Sequence, residues 1–178
     1  MAQDIKKINI GFTRTCDCAP SHINCLSAKE WIKNQLGVWQ FTYEKRDIRD
    51  KSVHPATFPV SLAKRVISLF SHEGELVLDP FTGSGTVLLA AQDLNRNALG
   101  FDLQEKYIEL CKSRLINNNF FNNSKQIPIL DDALNIQDYL EKETLSLIFT
   151  SPPYANLLNR QRKNKSRRGE TRNNDQFM

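Results

Sequence analysis

The chain has 178 residues, of which 40% are hydrophobic and 25% are charged. This length and composition support one ordinary domain with a buried core and exclude wholesale disorder. The net charge of +4 is unevenly distributed along the chain. Residues 155–178 contain seven basic and two acidic side chains, whereas the rest of the chain contains 17 basic and 18 acidic ones. The sequence therefore indicates a nearly neutral domain followed by a basic segment.

Membrane insertion and secretion are both disfavoured. No apolar run reaches the roughly 18 residues that a spanning helix needs, and no basic-then-apolar leader opens the chain. Four cysteines are few for a secreted disulfide scaffold. We expect a cytoplasmic protein with reduced thiols and no membrane partner.

Residues 1–53 form an N-terminal extension with three of the four cysteines and both tryptophans. Ser27 and Glu30 have the spacing of a capping box, which predicts a short helix to about residue 36. We expect Trp31 and Trp39 to be packing residues.

A compact group of metal-ligand types lies in the same extension. Cys16, Cys18, His22 and Cys25 supply four formal ligands, but their spacing is not a standard zinc pattern. Structural or incidental cysteines are therefore favoured over zinc, and no metal is predicted. Elsewhere, Cys111 is expected in the core, and His72 at a helix end on the surface.

Residues 54–154 alternate between helical and strand patterns. The predicted elements are a helix from Pro59, a strand Glu75–Asp79, a helix Thr86–Asn95, a strand Ala98–Leu103, a helix from Gln104 to about Asn117, a weak strand Ile127–Leu130, a short helix and a strand Leu145–Thr150. This alternation predicts an α/β fold with a mostly parallel sheet. Ligands of such sheets bind at the carboxyl ends of the strands.

A glycine-rich turn, Asp79–Thr86, follows the first of these strands and opens a helix. Gly83 and Gly85 permit a tight turn and close approach of the backbone to a ligand. Asp102 ends the next strand, where nucleotide-binding folds place an acid for ribose hydroxyls. The third glycine of the dinucleotide pattern is missing, and no P-loop lysine follows. The alternative is an ordinary turn with a surface aspartate, but the Asp-Pro-Phe lead-in and Asp102 favour a ligand site.

A prolyl loop, Ser151–Tyr154, follows the last predicted strand. Consecutive prolines fix the backbone and remove two amide donors, while the carbonyls before them can still accept hydrogen bonds. A planar group with an exocyclic amine would suit such a loop, stacked on Tyr154 and donating to Ser151. The alternative is a rigid surface turn with an incidental tyrosine.

Together these motifs resemble those of the DNA amino-methyltransferases that use S-adenosylmethionine. The family's glycine-rich motif is similar to Asp79–Thr86, and its catalytic motif, Asp/Asn/Ser-Pro-Pro-Tyr/Phe, is matched by Ser151–Tyr154. His54–Pro59 resembles the family's His-Pro-x-x-x-Pro segment beside the cofactor, and Asp132-Ala133 its acid–small pair after the third strand.

The resemblance covers residues 54–154 and implies a Rossmann-like methyltransferase fold for this catalytic core. It implies transfer of a methyl group from S-adenosylmethionine to an exocyclic amino nitrogen of a base in double-stranded DNA, in a restriction–modification or phage-defence setting. The implied catalytic residues are Ser151, Pro152, Pro153 and Tyr154. The implied cofactor-binding residues are Thr57, Phe58, Asp79, Pro80, Phe81, Gly83, Ser84, Gly85, Thr86, Asp102 and Asp132. A serine at the head of the catalytic motif is typical of enzymes that act on N4 of cytosine, and aspartate of those that act on N6 of adenine.

The chain departs from the family in length. About four strands can be counted where the family has about seven, and only 24 residues follow Tyr154. We expect an incomplete sheet with an apolar edge at the fourth strand. This predicts a partial or split enzyme, with a second polypeptide supplying the missing strands and the target-recognition region. Alternatives are a noncatalytic cofactor- or DNA-binding remnant, and an RNA or protein-amide methyltransferase, against which Ser151 argues.

The basic segment, residues 155–178, directly follows the prolyl loop. Contacts from such side chains to DNA phosphates would give affinity without reading bases. The predicted DNA-binding residues are Arg160, Arg162, Lys163, Lys165, Arg167 and Arg168. We expect this segment to be flexible when nothing is bound. The alternative to DNA contact is a solvated, charged chain terminus.

Overall fold

The computed structural model describes residues 7–8, 14–35, 37–43, 45, 57–116 and 123–153. Residues 54–56 of the His-Pro segment lie outside these ranges. So do Tyr154 and the whole basic segment, so the roles predicted for them stay predictions.

The described elements follow the predicted order. They are α1 (Ala28–Asn34), α2 (Val60–Phe70), β1 (Leu76–Asp79), α3 (Thr86–Asp93), β2 (Asn97–Asp102), α4 (Glu105–Ile116), β3 (Gln126–Leu130), a 3-10 turn (Ala133–Asn135), α5 (Ile136–Tyr139) and β4 (Leu147–Ile148). None of the helices among the described residues combines the length and apolar character needed to cross a membrane.

Local signals set the beginnings of two helices. The predicted capping box at α1 is present, with the Glu30 amide donating to Ser27 Oγ and the Ser27 amide donating to the Glu30 carboxylate. The sequence predicts Pro59 at the first helical position of α2. In the structure Pro59 is instead the N-cap, one position earlier, and its backbone is extended. Helix boundaries of this kind shift easily by one residue.

The described strands form a parallel four-stranded sheet in the order β3-β2-β1-β4. The chain moves outward from β1 to β2 and β3, and then crosses back to place β4 on the other side of β1. The strand order therefore reverses between β1 and β4, and such a reversal opens a crevice beyond the carboxyl ends of the two strands. The sheet confirms the predicted α/β class and a Rossmann-like arrangement.

Two hydrophobic clusters cover the two faces of the sheet. Val77 and Ala98 face α2, α3 and Cys111 of α4, and Cys111 is fully buried, as predicted. The alternate residues of the same strands, Leu78 and Leu99 among them, pack against Tyr139 at the end of α5. Burial of apolar side chains on both faces fixes the strand register, because a one-residue slip would exchange the faces.

β4 is shorter than the predicted strand Leu145–Thr150. Its regular pairing is limited to Leu147 and Ile148, although the flanking amides of Ser146 and Phe149 also donate to β1 carbonyls. Within the described part of the chain β4 is an edge strand, and Ile148 is 58% exposed. The prediction of an apolar edge is confirmed to that extent.

Candidate ligand-binding cleft

The glycine-rich turn has the backbone that its sequence predicts. Gly83 and Gly85 have φ angles of 49° and 80°, in the left-handed region that favours glycine, and Gly85 is the N-cap of α3. A Cβ atom at Gly85 would lie 2.2 Å from Cys111 Sγ. The turn thus needs glycine at position 85 both for its φ angle and for space.

Two side chains from later elements hold this turn. Asp102 Oδ2 accepts from the Gly83 amide at 3.0 Å, and Oδ1 accepts from the Gln104 amide at 2.8 Å. The guanidinium of Arg114, buried on α4, donates to the Ser84 carbonyl at 2.7 Å and to its hydroxyl at 3.0 Å. Sequence reasoning missed Arg114, although its position three residues after Cys111 puts it on the buried helical face. The bonds made by Asp102 show that it organises the turn, a role additional to the one predicted.

Asp79, at the carboxyl end of β1, is the buried acid of this region. Its Oδ1 accepts from the Phe81 amide at 3.1 Å and from the Thr150 hydroxyl at 2.6 Å. Burial raises the pKa of Asp79 to about 6, although the hydrogen bonds from Thr150 and Phe81 oppose the shift. The Thr150 contact, also missed from sequence, joins the ends of β1 and β4 at the point where the strand order reverses.

A small, partly open cleft lies at this reversal point. It is lined by Thr57, Phe58, Asp79, Phe81, Thr82, Gly83, Ser84, Thr86 and Ser151. Most of the predicted cofactor residues and the first predicted catalytic residue are therefore brought together. Three other predicted cofactor residues do not line this cleft: Pro80 and Gly85 belong to the turn, and Asp102 supports it.

Asp132 lies apart from the cleft lining. It follows β3 and caps the 3-10 turn, with its Oδ1 accepting from the Leu134 amide at 3.0 Å. The neighbouring Asp131 accepts hydrogen bonds from the Tyr139 hydroxyl and the Asn135 amide group. Both acids thus form hydrogen bonds that stabilise the local structure. The cofactor role of Asp132 stays a prediction.

The lining has the mixed chemistry of a site for a nucleoside-type ligand. Thr57 Oγ1 and Thr82 Oγ1 are buried and have no hydrogen-bond partner among the described residues. Asp79 supplies a carboxylate suited to an ammonium group, and the rings of Phe58 and Phe81 supply apolar surface. Such a donor set fits the hydroxyl, amino and aromatic groups of S-adenosylmethionine.

The catalytic motif is described as far as Pro153. Ser151, Pro152 and Pro153 are exposed, and Ser151 faces the cleft. The loop therefore begins beside the turn that contains Asp79, and its serine hydroxyl is accessible from solvent.

A parallel sheet with a glycine-rich turn and an acidic cleft at the point of strand reversal defines an α/β domain of the nucleotide-cofactor-binding class. The family profile of the DNA methylases, which covers N6 and N4 methyltransferases, matches residues 4–113. That of the D12 class N6 adenine-specific DNA methyltransferases matches residues 60–176. The chain belongs to the DNA methylase family, which confirms the predicted resemblance.

Curated relatives are type II methyltransferases. M.HpaI of Haemophilus parainfluenzae is 40% identical over 82 residues, which are 46% of this chain and 26% of that protein. M.BglI of Bacillus subtilis is 32% identical over 127 residues, 70% of this chain and 35% of that protein. The chain thus spans about a quarter to a third of the length of these two relatives.

Solved structures give partial matches. A DNA modification methylase from Thermus thermophilus is 32% identical, with a TM-score of 0.43 over 56% of this chain and 39% of that one. The M1.HpyAVI–SAM complex is 29% identical, with a TM-score of 0.38 over 46% of this chain and 42% of that one. Because these TM-scores are low, the fold is assigned from the sheet topology and not from these matches.

Proposed function

We propose that this chain is the cofactor-binding and catalytic part of a DNA amino-methyltransferase, with S-adenosylmethionine bound in the cleft between the ends of β1 and β4. The observation that carries the proposal is the meeting of Asp79 and Ser151 in one cleft, 72 positions apart in the sequence. Membership in the DNA methylase family supports the same activity.

Asp79 is proposed to bind the amino group of the methionine portion. A buried carboxylate with a pKa raised to about 6 gains from a cationic partner, because the cation offsets the desolvation of its charged form. The Thr57 hydroxyl, which is buried without a partner among the described residues, and the ring of Phe58 complete the proposed pocket. The cofactor supplies a methyl group that is already activated by its attachment to a sulfonium.

The prolyl loop is proposed to hold the target amine. An exocyclic amine is a poor nucleophile because its lone pair is delocalised into the base. Acceptance of its hydrogens by the Ser151 hydroxyl and the Pro152 carbonyl would favour a pyramidal nitrogen with a more available lone pair. Tyr154 is proposed to stack on the base, which must leave the duplex to reach the cleft. Positioning of the two reactants would then supply much of the rate.

N4 of cytosine is the proposed target, because Ser151 leads the catalytic motif. N6 of adenine is the second candidate, and the match to the D12 adenine-specific class favours it. Both targets present an amino group on a planar six-membered ring, so the same acceptors serve either. A different recognition region would set the choice of DNA sequence.

The proposed partner is double-stranded DNA, contacted by the basic residues that begin at Arg160. A second polypeptide is proposed to provide further strands beside β4, whose apolar edge is exposed in the described part of the chain. Paired with another strand, this edge would lose its unpaired backbone groups.

Incubation of the chain with methyl-tritiated S-adenosylmethionine and plasmid DNA tests the proposal, alone and with the product of a neighbouring reading frame. Digestion to nucleosides should give labelled N4-methylcytosine. Labelled N6-methyladenine instead would move the target to adenine. Cofactor binding without any label transfer would support the noncatalytic remnant, and loss of both would refute the enzyme proposal.

A further inference from the structure

A cluster of three thiols and one imidazole lies outside the cleft. Cys16, Cys18, Cys25 and His72 place their ligand atoms within 4.8 Å of one another, and all four residues are half-buried. Sequence spacing had offered His22 as the fourth member and had placed His72 on the surface at a helix end. His72 does follow the end of α2 as predicted, but it is half-buried, and it takes the place expected for His22 because the segment after α2 folds back against the N-terminal extension.

Two distances within this thiol–imidazole cluster match those of a tetrahedral centre. His72 Nδ1 lies 3.5 Å from Cys16 Sγ and 3.5 Å from Cys25 Sγ. Zinc bonds of about 2.3 Å to sulfur and about 2.0 Å to nitrogen, at a tetrahedral angle, separate the two ligand atoms by about 3.5 Å. The distances from His72 to these two thiols therefore match those around one zinc ion, and all four ligand atoms lie within 4.8 Å of one another.

The backbone around Cys25 is shaped to present its sulfur. Ile23 and Leu26 exchange both backbone hydrogen bonds across a tight turn whose central residues, Asn24 and Cys25, have φ angles of 52° and 70°. This is the pattern of a type I′ turn, in which glycine or asparagine usually takes the place held by Cys25. The Glu73 amide donates to Cys25 Sγ at 3.4 Å, the kind of contact that stabilises a thiolate.

The same segments are held together by direct bonds. The Thr15 amide donates to the Glu73 carbonyl at 2.8 Å, and the Asn24 side chain donates to the Leu69 carbonyl at 2.5 Å. The guanidinium of Arg14 donates to Cys16 Sγ at 3.0 Å. Three thiolates and one Zn²⁺ together carry a charge of −1, and Arg14 is placed to offset it.

We propose that Cys16, Cys18, Cys25 and His72 bind one structural Zn²⁺ ion. Thiolate and imidazole ligands suit zinc, and four protein ligands complete its tetrahedral shell without leaving a position for substrate. His72 lies just before β1, at the opposite end of the strand from the cleft. The ion would therefore fasten the N-terminal extension to the core without taking part in methyl transfer.

Metal analysis of the full chain, purified without chelators, tests this proposal. We expect about one zinc per chain, and Co²⁺ exchanged into the site should give the visible absorption of tetrahedral cobalt with thiolate charge-transfer bands. X-ray absorption should find three sulfur neighbours at about 2.3 Å and one nitrogen at about 2.0 Å. These measurements use the unaltered chain, so they do not depend on whether a variant folds.

A pair of histidine variants identifies the fourth ligand. His72→Ala should weaken cobalt binding at least tenfold, whereas His22→Ala, in the same segment as the cysteines but outside the cluster, should bind as the unaltered chain does. Absence of zinc together with failure to bind Co²⁺ through thiolates would overturn the proposal, as would recovery of a disulfide among these cysteines from reducing buffer. Loss of metal in His22→Ala but not in His72→Ala would overturn the assigned ligand set.

Discussion

Replacement of Asp79 by asparagine should stabilise the fold while it weakens cofactor binding. Burial raises the pKa of this carboxyl from 3.8 to about 6. This difference of about two in pKa corresponds to about 3 kcal/mol of folding free energy, at about 1.4 kcal/mol per pKa unit. The folded-state pKa is above the unfolded value, so the folded state favours the protonated carboxyl. The corresponding free energy of folding is fully present below pH 3.8 and is lost as the pH rises through about 6.

Asparagine cannot ionise, and its side-chain oxygen can still accept from the Phe81 amide and the Thr150 hydroxyl. We therefore expect Asp79→Asn to raise the free energy of unfolding at pH 8 by about 2–3 kcal/mol, with the gain vanishing near pH 4. Urea unfolding followed by tryptophan fluorescence at several pH values measures this difference.

Asp138→Asn, on the exposed side of α5, is the matched control and should change stability by less than about 0.5 kcal/mol. A variant at position 79 that is less stable than the unaltered chain at pH 8 would refute the reasoning. A difference of the same size at pH 4 and pH 8 would refute it as well, because the cause would then not be ionisation of Asp79.

Three further changes test other parts of the structure. Gly85→Ala should lower the free energy of unfolding by at least about 2 kcal/mol, because the φ angle of 80° disfavours alanine and the added Cβ would overlap Cys111. In a double-mutant cycle, a Cys111→Ala background should recover the part of this loss that is due to the overlap. Thr150→Val removes a hydrogen bond that lowers the pKa of Asp79, so the midpoint of pH-dependent cofactor binding should move upward, and an unchanged midpoint would contradict the assigned contact. Ser27→Ala should cost about 1 kcal/mol in urea unfolding through loss of the α1 cap, whereas no cost would mean that the cap is not formed in solution.

Local patterns were sufficient for the elements that carry the cleft. The apolar run of β1 followed by two glycines predicted a buried strand and a tight turn, and both are present. The predicted strand Ala98–Leu103 corresponds to β2 with a shift of one residue, and Asp102 lies at its carboxyl end as expected, so the position of this acid beside the turn followed from topology. Such signals depend on neighbours in the sequence, which explains why they can be recognised without a structure.

Contacts between distant segments could not be recognised in this way. The bond between Thr150 and Asp79 spans 71 positions, and the one between Arg114 and Ser84 spans 30. His72 meets Cys16 across 56 positions, whereas the sequence suggested the nearer His22. Periodicity shows which face of an element is buried, but the pairing of polar groups across elements depends on packing of the whole domain.

The central claim is that the cleft between β1 and β4 binds S-adenosylmethionine through Asp79. Isothermal titration of the folded chain with S-adenosylmethionine at pH 8, beside Asp79→Asn, tests it most directly. We predict one cofactor per unaltered chain and at least tenfold weaker binding to the more stable variant, a loss of about 1.4 kcal/mol or more. Equal binding by the two proteins, or no binding by the folded unaltered chain, would contradict the account.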